Sequence, residues 1–441
     1  MNDLLEWITE LNEKTHVKIE QIELDNQGFW FFDEKTGWIR NKNDSFFQIA
    51  GIQGYINGEY IEQPIIIQDE IGYLGILCKD FNGVTKYLMQ AKIEPGNINC
   101  VQISPTIQAT KSNFTQKHGG KCPLYLEYFM NASPDQIIAD QIQSEQSSRF
   151  YGKRNRNMIV KTQEDIKVDP RFRWMTLVEI KELMKYKNLV NMDTRTVLSC
   201  LPFIDKDIYD YDKSIRMDQL FYNSVLNEGY IKEIKDIYHK INNYKMFHDN
   251  KRKIVPLTEL SNWEVRKDAI ECKSEFPYKV IFCDIEIEGR EVTHWQQPLF
   301  KANGIATFGL IRTCINNMYK YLVKITPEIG CFDNIEIGPT IQKEYGSKYD
   351  GVIEELFEKY VNEKKGVHFD SILSEEGGRF YHEENRNIII DVPIEELMLL
   401  PDDYMLVSYR TLNHLNLVNN CLNIQLRNLM STMEVKSYEK D

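Results

Sequence analysis

Between Gln90 and Gly120 the chain gathers side chains suited to acid–base work and polar recognition: Lys92, Glu94, Gln102, Thr106, Gln108, Asn113 and His118. Polar residues alternating with Val101, Ile103 and Ile107 predict strands with one polar face. A row of Gln, Ser and Thr suits hydrogen bonding to a sugar or a base, and it equally suits a solvated strand face. Lys92 and Glu94 share a face. The pair reads either as a general base with its tuning partner or as a surface ion pair worth little. His118 lies in a Gly-rich loop, where a proton donor and a solvated imidazole have the same signature. Further along, Lys153-Arg154-Asn155-Arg156-Asn157 precedes an apolar strand. Planar guanidinium forks suit a diphosphate, and an exposed basic turn has the same composition. Trp30, Trp38, Trp263 and Trp295 suit stacking on a base or packing in a core.

These motifs occur twice. The stretch from Gln90 to Pro95 returns from Leu322 to Pro327, Ser104 to Gln108 returns from Gly338 to Gln342, and Ser144 to Tyr151 returns from Ser374 to Tyr381, at offsets of 232, 234 and 230. Asn191 and Arg195 are mirrored by Asn423 and Arg427. Solenoid units run to about 50 residues, so a repeat this long predicts two tandem globular modules. The modules span 1–204 and 254–441, joined by a charged helical connector at 205–253. Aligned this way, Thr326 stands where Glu94 does, while Arg149 and Arg156 keep partners in Arg379 and Arg386.

The elements that must position these residues alternate without a βαβ rhythm, which predicts an α+β fold of mixed sheets with packed helices. Apolar runs around Ile65–Ile67, Ile71–Leu77, Tyr87–Ile93 and Asn157–Lys161 read as strands. Helices are predicted at the N-terminus (Leu4, Leu5, Ile8 and Leu11 at helical spacing), over Pro134–Ser144 and Thr176–Lys187, and over Leu220–Tyr244.

A net charge of −13 argues against nonspecific nucleic-acid binding, which needs a basic face, but leaves room for a small anionic ligand. No apolar run reaches the ~18 residues of a membrane helix. The N-terminus is acidic where a signal peptide is basic, so a cytoplasmic protein is expected. Nine scattered cysteines without a C-x-x-C pair predict reduced thiols and no zinc site. There is no G-x-G-x-x-G, P-loop, G-x-S-x-G or H-E-x-x-H. Chemistry that needs no bound redox cofactor, nucleoside triphosphate or metal is expected.

The runs QPIIIQDEIGYLGIL, LMQAKIEPGN, QISPTIQATKSNFT, QSEQSSRF, KRNRNMIV and LVNMDTRTVL resemble the NDP-hexose 2,3-dehydratases of deoxysugar biosynthesis. REVTHWQQPLF, GPTIQ and SEEGGRFYHEENRN resemble that family's second module. The resemblance implies two Nudix-like modules without the Nudix hydrolase box, and a homodimer. The implied substrate is a dTDP-linked 4-keto-6-deoxyhexose, whose C2 hydroxyl is eliminated to leave a 3,4-diketo-2,6-dideoxy sugar for a partner 3-ketoreductase. The C4 ketone acidifies the C3 hydrogen, a base removes it, and the enolate expels the C2 hydroxyl, so no cofactor is expected.

On this reading Lys92, Glu94, His118 and Lys153 are catalytic candidates. Gln68, Gln102, Thr106, Gln108, Asn113, Glu145, Arg149, Arg154, Asn155 and Arg156 are substrate-binding candidates. A second pocket is expected around Trp295, Lys324, Thr340, Gln342, Arg379, Tyr381, Asn385 and Arg386. Residue chemistry gives proton transfer to Glu94 or His118, the enolate to Lys92 or Lys153, and diphosphate to Arg154 and Arg156. Chemistry is expected in the first module, with the second binding ligand or supporting the dimer. A nucleotide-sugar sensor without activity, or an epimerase or isomerase on the same scaffold, remains a competing expectation.

Overall fold

The structure is a computed structural model that describes residues 1–111, 122–202, 215–290, 292–348, 350–433 and 435–437. It is α+β, as expected. Each half is built around a seven-stranded mixed sheet, and the two sheets have the same strand order. In the first, Ile137–Ser144, Arg154–Lys161, Gly72–Phe81, Val84–Ile93 and Phe172–Thr176 lie side by side. In the second, Val367–Ser374, Glu384–Asp391, Ala306–Ile315, Met318–Pro327 and Tyr404–Ser408 do the same. Only the pairing of Arg154–Lys161 with Gly72–Phe81, and of its counterpart Glu384–Asp391 with Ala306–Ile315, is parallel along these two series.

Strand register corrects the sequence alignment of the two halves. Thr106 Oγ1 donates to the carbonyl of Leu88 and accepts from Leu77 N, and Thr340 Oγ1 does the same with Leu322 and Ile311. Gln90 lies opposite Phe172 and Ser104, and Lys324 lies opposite Tyr404 and Gly338. Gln90 and Lys324 are therefore counterparts, which pairs Lys92 with Thr326 and Glu94 with Glu328. The sequence match slid by two residues because a two-residue slip preserves the in–out alternation of a strand.

Pro134–Ser144 is a strand over Ile137–Ser144, not the predicted helix. It pairs antiparallel with Arg154–Lys161, and this tertiary pairing overrides a weak helical pattern. The connector breaks into two helices, Gln219–Val225 and Tyr230–Phe247, rather than one.

The halves are laced together by exchanged strands. Val17–Ile22, at the start of the chain, pairs with Tyr278–Ile287 of the second half. Lys251–Val255 returns to pair with Gln48–Ile56 of the first. Each exchange covers what is otherwise an open sheet edge. Closer in, Gly96 N donates to Gly377 O (2.7 Å) and Gly330 N to Ser147 O (2.9 Å). A Cβ on Gly96 would lie 1.6 Å from Phe380 O, and one on Gly330 2.0 Å from Phe150 O, so only glycine permits the halves to meet this tightly. Helices Met192–Leu198 and Ile424–Ser431, capped by Asn191 and Asn423, pack against each other at the seam. From them Arg195 donates to Ser374 O, and Arg427 to Ser144 O, across the seam.

Candidate active site

At this seam a cavity of about 810 Å³ opens between the halves. The first half contributes Gln68, Lys92, Glu94, Gln108, Glu145, Lys153 and Asn155, all singled out in the sequence, together with Asp193. The second half contributes Arg290, His294, Trp295, Gln297, Glu376 and Arg379. Phe29, Trp30, Phe46, Phe47 and Trp295 supply its aromatic surface.

The strand Val84–Ile93 carries Lys92 to the cavity, with Glu94 immediately after it. Lys92 Nζ lies 2.7 Å from Glu94 Oε1. Arg290, on the turn between Tyr278–Ile287 and His294–Ala302, takes the other oxygen at 3.1 Å and donates to Ile93 O at 2.7 Å. Burial alone would raise the Glu94 carboxyl, but Arg290 and Lys92 together hold it down at about 2. Glu94 is thus held as a carboxylate between two cations. The Arg290 guanidinium also lies 5.3 Å from the ring centre of Trp295, whose indole N–H donates to Gln297 (2.8 Å).

Lys153, which also lines the cavity, donates to Glu70 O, and burial, only partly offset by Glu145 and Glu70, brings its ammonium down to about 8. Asn155 Nδ2 donates to Glu145 (2.5 Å). Burial raises the Glu145 carboxyl despite Lys153 and Arg427 nearby. The turn after Ser374 brings in Glu376, which accepts from Gly378 N at 2.7 Å. Burial, opposed by Arg379 and reinforced by Glu94 and Glu145, pushes Glu376 up to about 7. Arg379 reaches across the seam to Gln68 (3.2 Å) and stacks 4.3 Å from the Phe47 ring centre.

Several expected residues lie elsewhere. Thr106 and its twin Thr340 tie adjacent strands together and are buried. Gln102 is fully buried and accepts from Ser374 Oγ (3.0 Å) at the seam. Arg154 stacks on Phe332 at 4.0 Å, and Arg156 holds Asp140 through two hydrogen bonds and Tyr73 through a third. Neither arginine lines the cavity, because alternation along Arg154–Lys161 turns both to the face opposite Asn155, which does. Arg149 leaves the first-half site altogether, pairing with Glu344 (3.0 Å) and Glu383 (3.7 Å). Asn113 and His118 lie outside the described residues.

Of the residues expected in a second pocket, Trp295 and Arg379 line this same cavity. The others surround the pseudo-symmetric place or the sheet behind it. Gln342 donates to Glu328 (2.9 Å), and Asn385 donates to Glu375. Lys324 faces Tyr404 and Asp403, Arg386 pairs with Asp370, and Tyr381 stacks on His382. The charges there are inverted. Glu383 stands in the place of Lys153, Thr326 in that of Lys92 and Gln425 in that of Asp193. Without a lysine beside it, Glu328 is pushed by burial and by Glu344 up to about 7, whereas its mate Glu94 sits at about 2.

Asp193, Glu376 and Arg290 were not singled out from the sequence. Asp193 lies inside the run LVNMDTRTVL and changes to Gln425 across the repeat, and Glu376 faces Gln146 in the same comparison, so a charge that appears in only one copy was the available signal. Arg290 carries no such mark, since its turn belongs to the other half.

Most of the chain matches one family model, described as NDP-hexose 2,3-dehydratase, over residues 1–201 and 234–433. This chain belongs to the NDP-hexose 2,3-dehydratase family. A relative in Streptomyces violaceoruber, a dTDP-4-dehydro-6-deoxy-alpha-D-glucopyranose 2,3-dehydratase, is 35% identical over 439 residues, spanning 96% of this chain and 95% of its own. Proteins of the same description in Saccharopolyspora spinosa and Amycolatopsis orientalis are 34% and 33% identical, covering 97% of this chain and 90% and 89% of their own lengths.

Proposed function

We propose that the chain eliminates water from dTDP-4-keto-6-deoxy-D-glucose across C2 and C3, giving the 3,4-diketo-2,6-dideoxy sugar nucleotide. The observation that carries this reading is one cavity where Lys92, Lys153, Arg290 and Arg379 face carboxyls of widely separated proton affinity beside an aromatic wall. Cations suit a diphosphate and a developing enolate, and aromatic faces suit a thymine ring. Groups with separated affinities divide the acid and base work.

Glu376, poised at about 7, suits removal of the C3 hydrogen at neutral pH. The C3–H electron pair moves into a C3=C4 enolate whose oxygen is stabilised by the Lys92 ammonium, which Glu94 keeps in place. The pair then forms C2=C3 as the C4 ketone returns and the C2 hydroxyl departs as water. The resulting enol moves its O3 proton to C2, leaving ketones at C3 and C4. Oxidation at C3 balances reduction at C2, so no hydride acceptor enters.

Each half reads as a Nudix-like module, with residues 1–204 and 254–441 as the units, working as a cytoplasmic homodimer. The diketone is electrophilic, and a ketoreductase is the class of enzyme that consumes it. No described helix is long and apolar enough to cross a membrane. The test is incubation of purified protein with the keto sugar nucleotide and no nicotinamide, trapping the product as a quinoxaline. Appearance of the diketone supports the reading, and recovery of unchanged substrate overturns it.

A further inference from the structure

We propose that Asp193 is a catalytic residue of this site, the acid that protonates the departing C2 hydroxyl. The inference rests on the dehydratase reading. Asp193 is 1% exposed, yet it lines the cavity, and among the described residues its Oδ2 is buried without a hydrogen-bond partner. An unsatisfied buried carboxylate oxygen is costly, and protonation together with a ligand hydroxyl relieves that cost. Glu376, Glu145 and Glu94 line the same cavity, as does Lys92, whose charge opposes theirs at Asp193. Burial and then the Glu376 and Glu145 charges raise its carboxyl well above the ordinary aspartate range. Arrival of a diphosphate adds negative charge and favours the same neutral form.

The second half supports the assignment by contrast. Gln425 takes the place of Asp193 there, and its Oε1 is likewise buried without a partner among the described residues. Both positions hold a buried oxygen without a partner among the described residues, but only Asp193 lines the cavity, and only its side chain can carry a dissociable proton.

In the step, the C2–O bond breaks with its electron pair on oxygen, and that oxygen takes the Asp193 proton and leaves as water. Asp193 becomes a carboxylate. It regains a proton through solvent when Glu376 releases the one taken from C3, so the substrate loses one water and nothing else.

The experiment compares wild type, D193N and D193E on dTDP-4-keto-6-deoxyglucose in D2O. D193N is expected to dehydrate at least ~100-fold more slowly, the scale of a lost general acid, while still exchanging C3 hydrogen with solvent. D193E, which keeps an acid, should recover part of the rate. With the 2-deoxy-2-fluoro analogue the leaving group needs no proton, and the gap between D193N and wild type should shrink below about tenfold. Dehydration by D193N within tenfold of wild type, an undiminished gap with the fluoro sugar, or joint loss of exchange and dehydration in both variants each overturns the assignment. Failure of wild type itself to dehydrate the sugar overturns the dehydratase reading instead.

Discussion

Arg149 and Arg379 have traded halves: each leaves its own repeat to stack on an aromatic ring of the other, Arg149 on Tyr278 at 4.2 Å and Arg379 on Phe47 at 4.3 Å. The same crossing that puts Arg379 into the cavity sends Arg149 to the acidic pseudo-symmetric place, where Glu344 and Glu383 neutralise it. One arginine lines the cavity and the other is held in ion pairs.

R379A is therefore expected to fold and to bind dTDP weakly. A lost charge-assisted contact of about 1.5–3 kcal/mol corresponds to a drop in affinity of roughly 10–150-fold, measurable by titration calorimetry. R149A strands buried carboxylates and should lose about 3 kcal/mol or more of stability in urea unfolding, with little change in dTDP affinity for the protein that folds. Equal effects on binding would contradict this division.

Glu94 and Glu328 are counterparts with opposite surroundings. E94Q leaves Lys92 and Arg290 without their counter-charge and should lower kcat by more than about tenfold. E328Q lies outside the cavity and should leave turnover unchanged. The stability difference between wild type and E94Q has a defined pH course. Glu94 is held at about 2 when folded, so its contribution is present above its unfolded value near 4.5 and is lost as pH falls from there towards 2. Melting curves across that window measure it.

Glu336 runs the other way. It is 2% exposed, and burial pushes it up to about 8, so the folded state holds a proton that the unfolded chain releases near 4.5. Its contribution to stability is complete below 4.5 and is lost as pH rises to about 8. E336Q removes that dependence. Its Tm should match wild type at pH 4.5 and exceed it at pH 8, at roughly 1.4 kcal/mol per pH unit between. A constant difference at all pH values would contradict the assignment.

The sequence shows the repeat, the α+β class and most of the first-half wall, because Lys92, Glu94, Gln108, Glu145 and Lys153 sit in motifs dense with polar residues. It does not show that the repeat closes on itself. Arg290, Glu376 and Arg379 reach the cavity only because Val17–Ile22 and Lys251–Val255 exchange partners and Gly96 lets the halves touch. Such contacts join residues hundreds of positions apart, and local periodicity carries no trace of them. The two-residue slip that set Thr326 against Glu94 has the same origin: alternation fixes which face a side chain takes, while register is fixed by neighbouring strands.

That both halves build one reaction centre is tested most directly by C3 hydrogen exchange in E376Q, followed by NMR in D2O with dTDP-4-keto-6-deoxyglucose. The account predicts that this second-half variant binds dTDP within about threefold of wild type while exchange and dehydration fall together by at least ~100-fold. Exchange at the wild-type rate in E376Q would place the base elsewhere and contradict a centre shared across the seam.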